Sequence, residues 1–281
     1  MLKYLQYILP HHLLSKITFK LANNNNILLK NLLIRLFIKK NKIDLNIYDR
    51  KNINLYKNFN DFFTRKLDLS LRKNLNNLEN NVLSPADGII TAIGSIKNNL
   101  LYQAKNKYFN LASLLGQDNN LKISLSDIFA HGSYFTIYLS PRDYHRIHMP
   151  MSGKLEKMIY IPGRLFAVHK ANQNLINNLY SKNERVICIF KTNSGYMAVI
   201  LVGAMLVGSI VTTWHGVVTA QHCKNKISIW NYSDQNISFN LLDELGYFQM
   251  GSTVLVLFSN NIELDESILN CQISYGSNIL L

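Results

Sequence analysis

From Met197 to Val218 the chain runs 22 residues without a formal charge. So apolar a stretch belongs either in a bilayer or inside a fold that buries it. Gly203 and Gly208 interrupt it, and Val, Ile and Thr dominate its composition. β-branched side chains suit a pleated surface and glycine punctuates strands, so two buried strands are predicted here rather than a membrane span. The same pattern holds from about residue 82 onward. Short β-branched and aromatic runs, such as Ser133–Leu139 and Arg185–Phe190, alternate with Gly, Pro, Asn and Asp. That pattern predicts a mainly antiparallel β core.

Residues 1 to about 45 read instead as helices. Between Ile27 and Lys42, Asn31, Arg35 and Lys39 recur every four residues as a polar stripe. Leu29, Leu32, Leu33, Leu36 and Phe37 form the opposing apolar face. Such a helix either packs on the protein's own core or lies in a membrane interface. Lys30, Arg35, Lys39, Lys40 and Lys42, with no acid among them, favour an anionic lipid surface. Asparagine-rich patches at Asn23–Asn26 and Asn74–Asn81 read as turns or linkers. The chain thus divides into N-terminal helices, residues 1–50, and a β-rich domain, residues 51–281, in an α+β arrangement.

Hydrophobic residues make up 48% of the chain and charged residues 17%, which excludes a disordered segment and suits a large core. The net charge of +13 suits nucleic acid, an anionic membrane or an acidic ligand. Lys, Asn and Ile are abundant throughout, so part of that charge is compositional background. With no basic and aromatic stripe and no zinc-finger spacing, a nucleic-acid partner is not expected. Cys188, Cys223 and Cys271 are odd in number and lack Cys-x-x-Cys spacing, which points to a reducing compartment. Pro10-His11-His12 interrupts the first apolar stretch and no small-residue cleavage site follows, so a secretory signal is not expected.

Three local features carry chemistry. Ser84-Pro85-Ala86-Asp87-Gly88 is a turn feeding a strand; Asp87 either caps that turn or supplies an anion that orients a histidine. Pro141 and Pro150 frame a segment holding His145 and His148. His-x-x-His can ligate a metal, but no third ligand stands at a helpful spacing, so no metal is expected. Two histidines in a proline-bounded polar segment after a strand read as a site. Gly251-Ser252-Thr253 precedes the apolar run Val254–Phe258. Gly-Ser is common in turns, yet glycine also lets its carbonyl sit in a strained geometry beside the next hydroxyl. There is no Gly-x-Ser-x-Gly elbow and no local signature of the standard hydrolase triads. A serine in that position, 30 residues from the end counting itself, suits attack on its own peptide bond better than attack on an external substrate.

Taken in order, these segments resemble the bacterial, membrane-associated, pyruvoyl-dependent type of phosphatidylserine decarboxylase. The matching stretches are Phe59–Arg65, Pro85–Gly88, Asp143–Pro150, Tyr160–Phe166, Asn183–Val186, Val202–Ala204 with Val207–Ile210, and Gly246–Thr253. They cover about residue 55 to the end. Met250 stands where the family usually has Leu, Lys66 where it often has Pro, and Met205 where a smaller polar residue is common. None of these departures removes a residue that the chemistry needs.

The resemblance implies a barrel-sandwich core related to lipoyl-type domains, and often a homodimer of processed αβ units. It implies that His148, oriented by Asp87, takes the proton of Ser252 Oγ. Cleavage between Gly251 and Ser252 would then leave a β chain, residues 1–251, and an α chain, residues 252–281, with Ser252 converted to a covalent pyruvoyl group. That group would form a Schiff base with the amine of phosphatidylserine. After CO2 departs, His145 would supply a proton, giving phosphatidylethanolamine. The expected catalytic set is therefore Asp87, His145, His148 and Ser252, with Arg65 and Arg146 as candidate cations for the substrate phosphate. A diacyl substrate implies a peripheral protein on the cytoplasmic side of the inner cell membrane. Two alternatives stand beside this reading: a Ser-His-Asp hydrolase that is never self-cleaved, and a non-catalytic membrane-binding β module.

Overall fold

The structure is a computed structural model that describes Tyr7 and residues 9–71, 81–104, 107–116, 124–205, 209–218, 226–249 and 252–281, with backbone only at Leu71 and Ser252. Gly208, Cys223, Met250, Gly251 and most of the patch at 74–81 lie outside the described residues. The strands, in chain order, are β1 (Gly88–Ser95), β2 (Leu100–Ala104), β3 (Lys107–Asn110), β4 (Ser133–Leu139) and β5 (Arg146–His148). They continue with β6 (Gly153–Ile161), β7 (Arg185–Thr192), β8 (Gly195–Gly203), β9 (Ser209–Thr212) and β10 (Gly216–Val217). The last are β11 (Ser228–Asn231), β12 (Ser238–Phe239), β13 (Glu244–Gln249), β14 (Ser252–Phe258) and β15 (Gln272–Ile273). The uncharged stretch thus holds strands on either side of residues 204–208, as its glycines predict.

A large antiparallel sheet runs β11-β6-β7-β8-β14-β4-β1-β15, with β12 also on β6. A smaller sheet, β10-β9-β13-β5, lies across it. Phe135, Ile137, Val199, Val254 and Val256 of the large sheet share one buried cluster with Ile147, Ile210 and Phe248 of the small one. The arrangement is a sandwich on an open hydrogen-bonded path; among the described residues no ladder closes it into a barrel, and the path ends in the short strands β11 and β15. The other face of the large sheet is covered by a second cluster that includes Leu111, Leu114, Phe129, Leu179 and Tyr180 from short helices. Burial on both faces explains why β7, β8 and β14 read as continuous apolar runs rather than as alternating ones.

At the N-terminus, α1 (His11–Ala22) and α2 (Ile27–Asn41) pack on α3 (Phe59–Phe63). The side chain of Asn26 caps α2 by accepting from Leu28 N and Leu29 N, and Lys42 ends the helix in the left-handed region at φ 53°. Ala22, Ile34, Tyr56, Phe59, Phe62 and Phe63 form the shared cluster, which spans the boundary expected at residue 50. The polar and apolar faces differ from expectation. Lys30 is buried and its Nζ donates to Tyr56 O at 2.8 Å, so it belongs to the packed side. Leu32 and Leu36 are exposed, in a row with Leu28; Leu13, Ile17 and Leu21 form a second exposed row on α1. A four-residue polar stripe could not reveal this, because a lysine stem packs as an apolar side chain when a carbonyl receives its head. Among the described residues no helix is long and apolar enough to cross a membrane.

β14 lies between β4 and β8 and pairs along its whole length with both. Val254, Leu255, Val256, Leu257 and Phe258 are all buried, each such side chain contributing about 1.5–3 kcal/mol. A chain cut just before Ser252 is therefore expected to keep residues 252–281 attached. The two pieces should co-elute in native gel filtration and separate only in denaturant; separate elution under native conditions would contradict this ladder.

Candidate active site

Gln249 closes β13 in the small sheet, opposite Ser209, and Ser252 opens β14 in the large sheet, opposite both Leu139 and Gly203. The step Gly251-Ser252 therefore falls where the chain crosses between sheets. Two further segments reach the same place. After Leu139, Asp143 Oδ2 accepts from Ser140 N and Ser140 Oγ, both at 2.7 Å, which closes a turn leading to His145. His145 O in turn accepts from Phe248 N at 3.1 Å, tying it to the end of β13. From the other side, the Ser84–Gly88 turn enters β1. Pro85 O accepts from His148 N at 2.9 Å. A Cβ on Gly88 would stand 2.5 Å from Tyr138 O, so only glycine lets this turn pass so close to β4. Ile89 and Thr253 both pair with Tyr138, which brings Asp87 and Ser252 to the same end of β4.

The two histidines differ in what holds them. His148 Nδ1 lies 2.9 Å from Leu242 O and its Nε2 2.9 Å from Tyr144 Oη. A carbonyl only accepts, so Nδ1 carries the proton and Nε2 accepts from the tyrosine hydroxyl. Asp87 Oδ1 accepts from Tyr275 N at 2.7 Å, and the Tyr275 ring centre is 4.2 Å from that of His148. Asp87 thus meets His148 by way of Tyr275. His145 Nδ1 donates to Asp143 O at 2.8 Å and its ring centre lies 4.3 Å from that of Phe63. Its Nε2 is a buried lone pair with no hydrogen-bond partner among the described residues. Thr253 Oγ1 and Gln249 Oε1, on either side of the crossover, are likewise buried and have no partner among the described residues. Buried polar atoms without a hydrogen-bond partner are uncommon in folded proteins, and these three border one corner of the fold.

Burial decides the charge state of both imidazoles. It pushes His148 down to about 4, against the opposing pull of the Leu242 carbonyl and Glu244. It pushes His145 down to about 3, where the Asp143 carbonyl pulls up and the Arg65 guanidinium adds to the lowering. Both are neutral bases at neutral pH. The arginines expected to meet phosphate are committed elsewhere. Arg65 is buried and donates to Tyr48 Oη, Arg142 O, Phe62 O and Phe63 O. Arg146 donates to Thr64 O and pairs with Glu244 at 2.5 Å. Tyr144 sits inside the proline-bounded segment and was open to sequence reasoning; Tyr275 and Leu242 are too distant in sequence to carry any signal.

An unfolded histidine titrates near 6.5, whereas these two refuse a proton until about pH 4 and about pH 3. As pH falls below 6.5 the unfolded chain binds protons that the folded one does not, so stability falls with it. Thermal unfolding followed by circular dichroism should show a falling Tm between pH 6.5 and pH 4. The fall should be shallower in the His145→Asn, His148→Asn double variant; equal slopes would contradict the buried neutral state.

A family model for phosphatidylserine decarboxylase matches residues 59–280, and a second, described as PSD, matches residues 3–40. The chain is 45% identical to the phosphatidylserine decarboxylase proenzymes of Francisella tularensis subsp. mediasiatica (strain FSC147) and subsp. novicida (strain U112) over 283 residues, covering 99% of this chain and 96% of each relative. It is also 45% identical over 281 residues to the proenzyme of that name from Francisella philomiragia subsp. philomiragia, with the same coverage.

Proposed function

The chain belongs to the phosphatidylserine decarboxylase family, and from that premise we propose that it matures by cutting itself at Gly251-Ser252 and then decarboxylates phosphatidylserine at the end of β4. It is a pyruvoyl-dependent carboxy-lyase made as a proenzyme. The observation that carries the site assignment is the register: one end of β4 gathers the crossover, the His145 turn and the Asp87 turn.

In maturation, the Ser252 hydroxyl loses its proton to a neutral histidine and attacks the Gly251 carbonyl, moving the acyl group from nitrogen to oxygen. Elimination of that ester frees the Gly251 carboxylate and leaves a dehydroalanine at 252; its hydrolysis releases ammonia and leaves the ketone. His148 takes this proton, with Asp87 and Tyr275 behind it. The pyruvoyl group supplies an electrophilic carbonyl that holds the substrate amine and takes up electrons as CO2 leaves. His145 Nε2, the uncommitted basic nitrogen of the pair, carries the proton returned to the substrate carbon. Asp143 O fixes its tautomer. A second reading exchanges the two roles, and the free lone pair on His145 favours it, since Tyr144 occupies Nε2 of His148.

Two variants separate these readings on a denaturing gel and in a CO2-release assay. His148→Asn is expected to remain a single chain. His145→Asn is expected to cut normally and to lose decarboxylation by at least about 100-fold. An uncut His145→Asn chain beside a cut His148→Asn chain would establish the exchanged roles.

The exposed rows Leu13, Ile17, Leu21 and Leu28, Leu32, Leu36 give α1 and α2 an apolar outer surface, accompanied by exposed Lys16, Lys20, Arg35, Lys39 and Lys40. That combination supports a helix pair lying in an anionic bilayer interface, where a diacyl substrate can be met from the side. The Leu28→Asn, Leu32→Asn, Leu36→Asn variant should still cut itself yet lose sedimentation with phosphatidylglycerol vesicles by more than about tenfold; undiminished sedimentation would contradict this placement.

A further inference from the structure

A cavity of about 650 Å3 lies between the start of the N-terminal helices and the segment after β6, lined by Tyr7, His12, Gly163, Arg164, Phe166 and Lys182, with Pro162 beside them. Its polar groups are cationic or potentially so. His12 Nε2 donates to Gly163 O at 3.1 Å. Lys182 Nζ stands 6.0 Å from the Tyr7 ring centre. Arg164 and Lys182 are both exposed, and among the described residues neither has a carboxylate partner. The carboxylate in this neighbourhood is Glu184, which accepts from Tyr160 Oη at 3.0 Å and is held toward its neutral form by burial. Behind the aromatic wall, His11 is buried, neither ring nitrogen has a hydrogen-bond partner among the described residues, and its ring is edge-on to Phe166. The floor of the cavity is therefore positive, weakly compensated and bounded by two aromatic rings, a setting that favours a small anion.

Its position relative to the cleavage point is set by backbone contacts. Arg164 N donates to Lys182 O and Glu184 N to Arg164 O, each at 2.8 Å. A Cβ on Gly163 would meet Lys182 O at 2.5 Å, so glycine is what lets the two segments lie this close. Gly203 N donates to Glu184 O at 2.8 Å, and Asn183 Nδ2 donates to both Gly203 O and Phe166 O. Gly203 is the β8 partner of Ser252. Arg164 is thus three chain neighbours from Ser252, on the order of 14 Å between backbones. On its other side the cavity reaches Tyr7 and His12, and α1 carries the exposed Leu13, Ile17 and Leu21 row.

We infer that this cavity is an anion subsite that receives the phosphodiester of the lipid substrate, with Arg164 and Lys182 as its cations and His12 as an accessory donor. The inference rests on the decarboxylase reading and assigns the phosphate to residues other than Arg65 and Arg146, whose guanidinium groups are engaged inside the fold with Tyr48 Oη and Arg142 O, and with Thr64 O and Glu244. It also gives α1 a second task. The helix that meets the bilayer supplies one wall of the pocket, so a lipid drawn from the membrane would pass from the apolar row to the cations and then to the end of β4.

The test compares native protein with Arg164→Gln, Lys182→Gln, the double variant and Arg164→Lys. All should cut themselves to completion on a denaturing gel, because none lies at the crossover. Each glutamine variant is expected to raise KM for phosphatidylserine in mixed micelles about tenfold, the double variant further, while kcat holds; Arg164→Lys should recover much of the loss. Soluble glycerophosphoserine should inhibit native protein competitively and inhibit Arg164→Gln more weakly. An unchanged KM in a fully cut double variant overturns the proposal. So does a raised KM accompanied only by poorer sedimentation with phosphatidylglycerol vesicles and unaltered glycerophosphoserine inhibition, which would mark general surface charge. Inorganic phosphate matching glycerophosphoserine as an inhibitor would reassign the pocket to a free anion and overturn the lipid source. Failure of the underlying reading is separately visible, since native protein would then neither cut itself nor release CO2.

Discussion

The seven-residue ladder of β14 against β4 and β8 is the constraint on which the rest depends. A central strand buried on both faces must have every backbone group paired and every side chain apolar. Both conditions hold from Val254 to Phe258. β13 belongs to the other sheet, so between Gln249, paired in the small sheet, and Ser252, paired in the large one, the chain passes from one ladder to the next. The bond that the family chemistry breaks falls between those two residues in the sequence. Breaking it removes a connection between sheets while leaving the ladder from Thr253 to Phe258 in place. Self-cleavage and a stable core are compatible for that reason.

The same sandwich sets the acid–base chemistry. β5 and its leading turn place His145 and His148 at buried positions, and burial is the main cause that holds both imidazoles neutral. Each then has its proton fixed on Nδ1 by a main-chain carbonyl, Asp143 O or Leu242 O. A carboxylate at that position would have raised the pKa further and favoured the imidazolium. A carbonyl orients the ring while leaving Nε2 a lone pair, the form suited to accept a proton from a serine hydroxyl. Asp87 contributes at one remove, by holding the main chain of Tyr275 against the His148 ring.

How far this was legible in the sequence depends on the range of the interaction. The strands in Ser133–Leu139, Arg185–Phe190 and the uncharged stretch followed from β-branched runs and glycine breaks, since burial on both faces leaves a continuous apolar signature. Asp87, His145, His148 and Ser252 were named from local segments and family resemblance. Their meeting at the end of β4 needed the register, which no local pattern encodes. The α+β arrangement with a mainly antiparallel β core was legible from the same runs, whereas the order of strands along the path was not, because it rests on long-range pairing. Lys30 was read as a lipid-facing cation, yet its head reaches Tyr56 O, 26 residues away in the chain. Arg65 shows the same dependence on range: its buried guanidinium donates to Tyr48 Oη, 17 residues away, and to Arg142 O, 77 residues away.

That contrast explains why uncommitted cations carry more information than motif cations. A guanidinium enclosed by carbonyls and a tyrosine ring, as Arg65 is, braces the turn that bears Phe63, and Phe63 in turn packs on His145. Its charge is spent on positioning and adds to the lowering of the His145 pKa. Arg164 has main-chain hydrogen bonds that fix its place and no carboxylate partner for its side chain among the described residues. An exposed cation held by its backbone at the rim of the cavity is available to an anion that enters it. The fold thus separates two placements of positive charge: one sealed within the N-terminal packing near His145, the other left exposed beside the cavity that Tyr7 and His12 line.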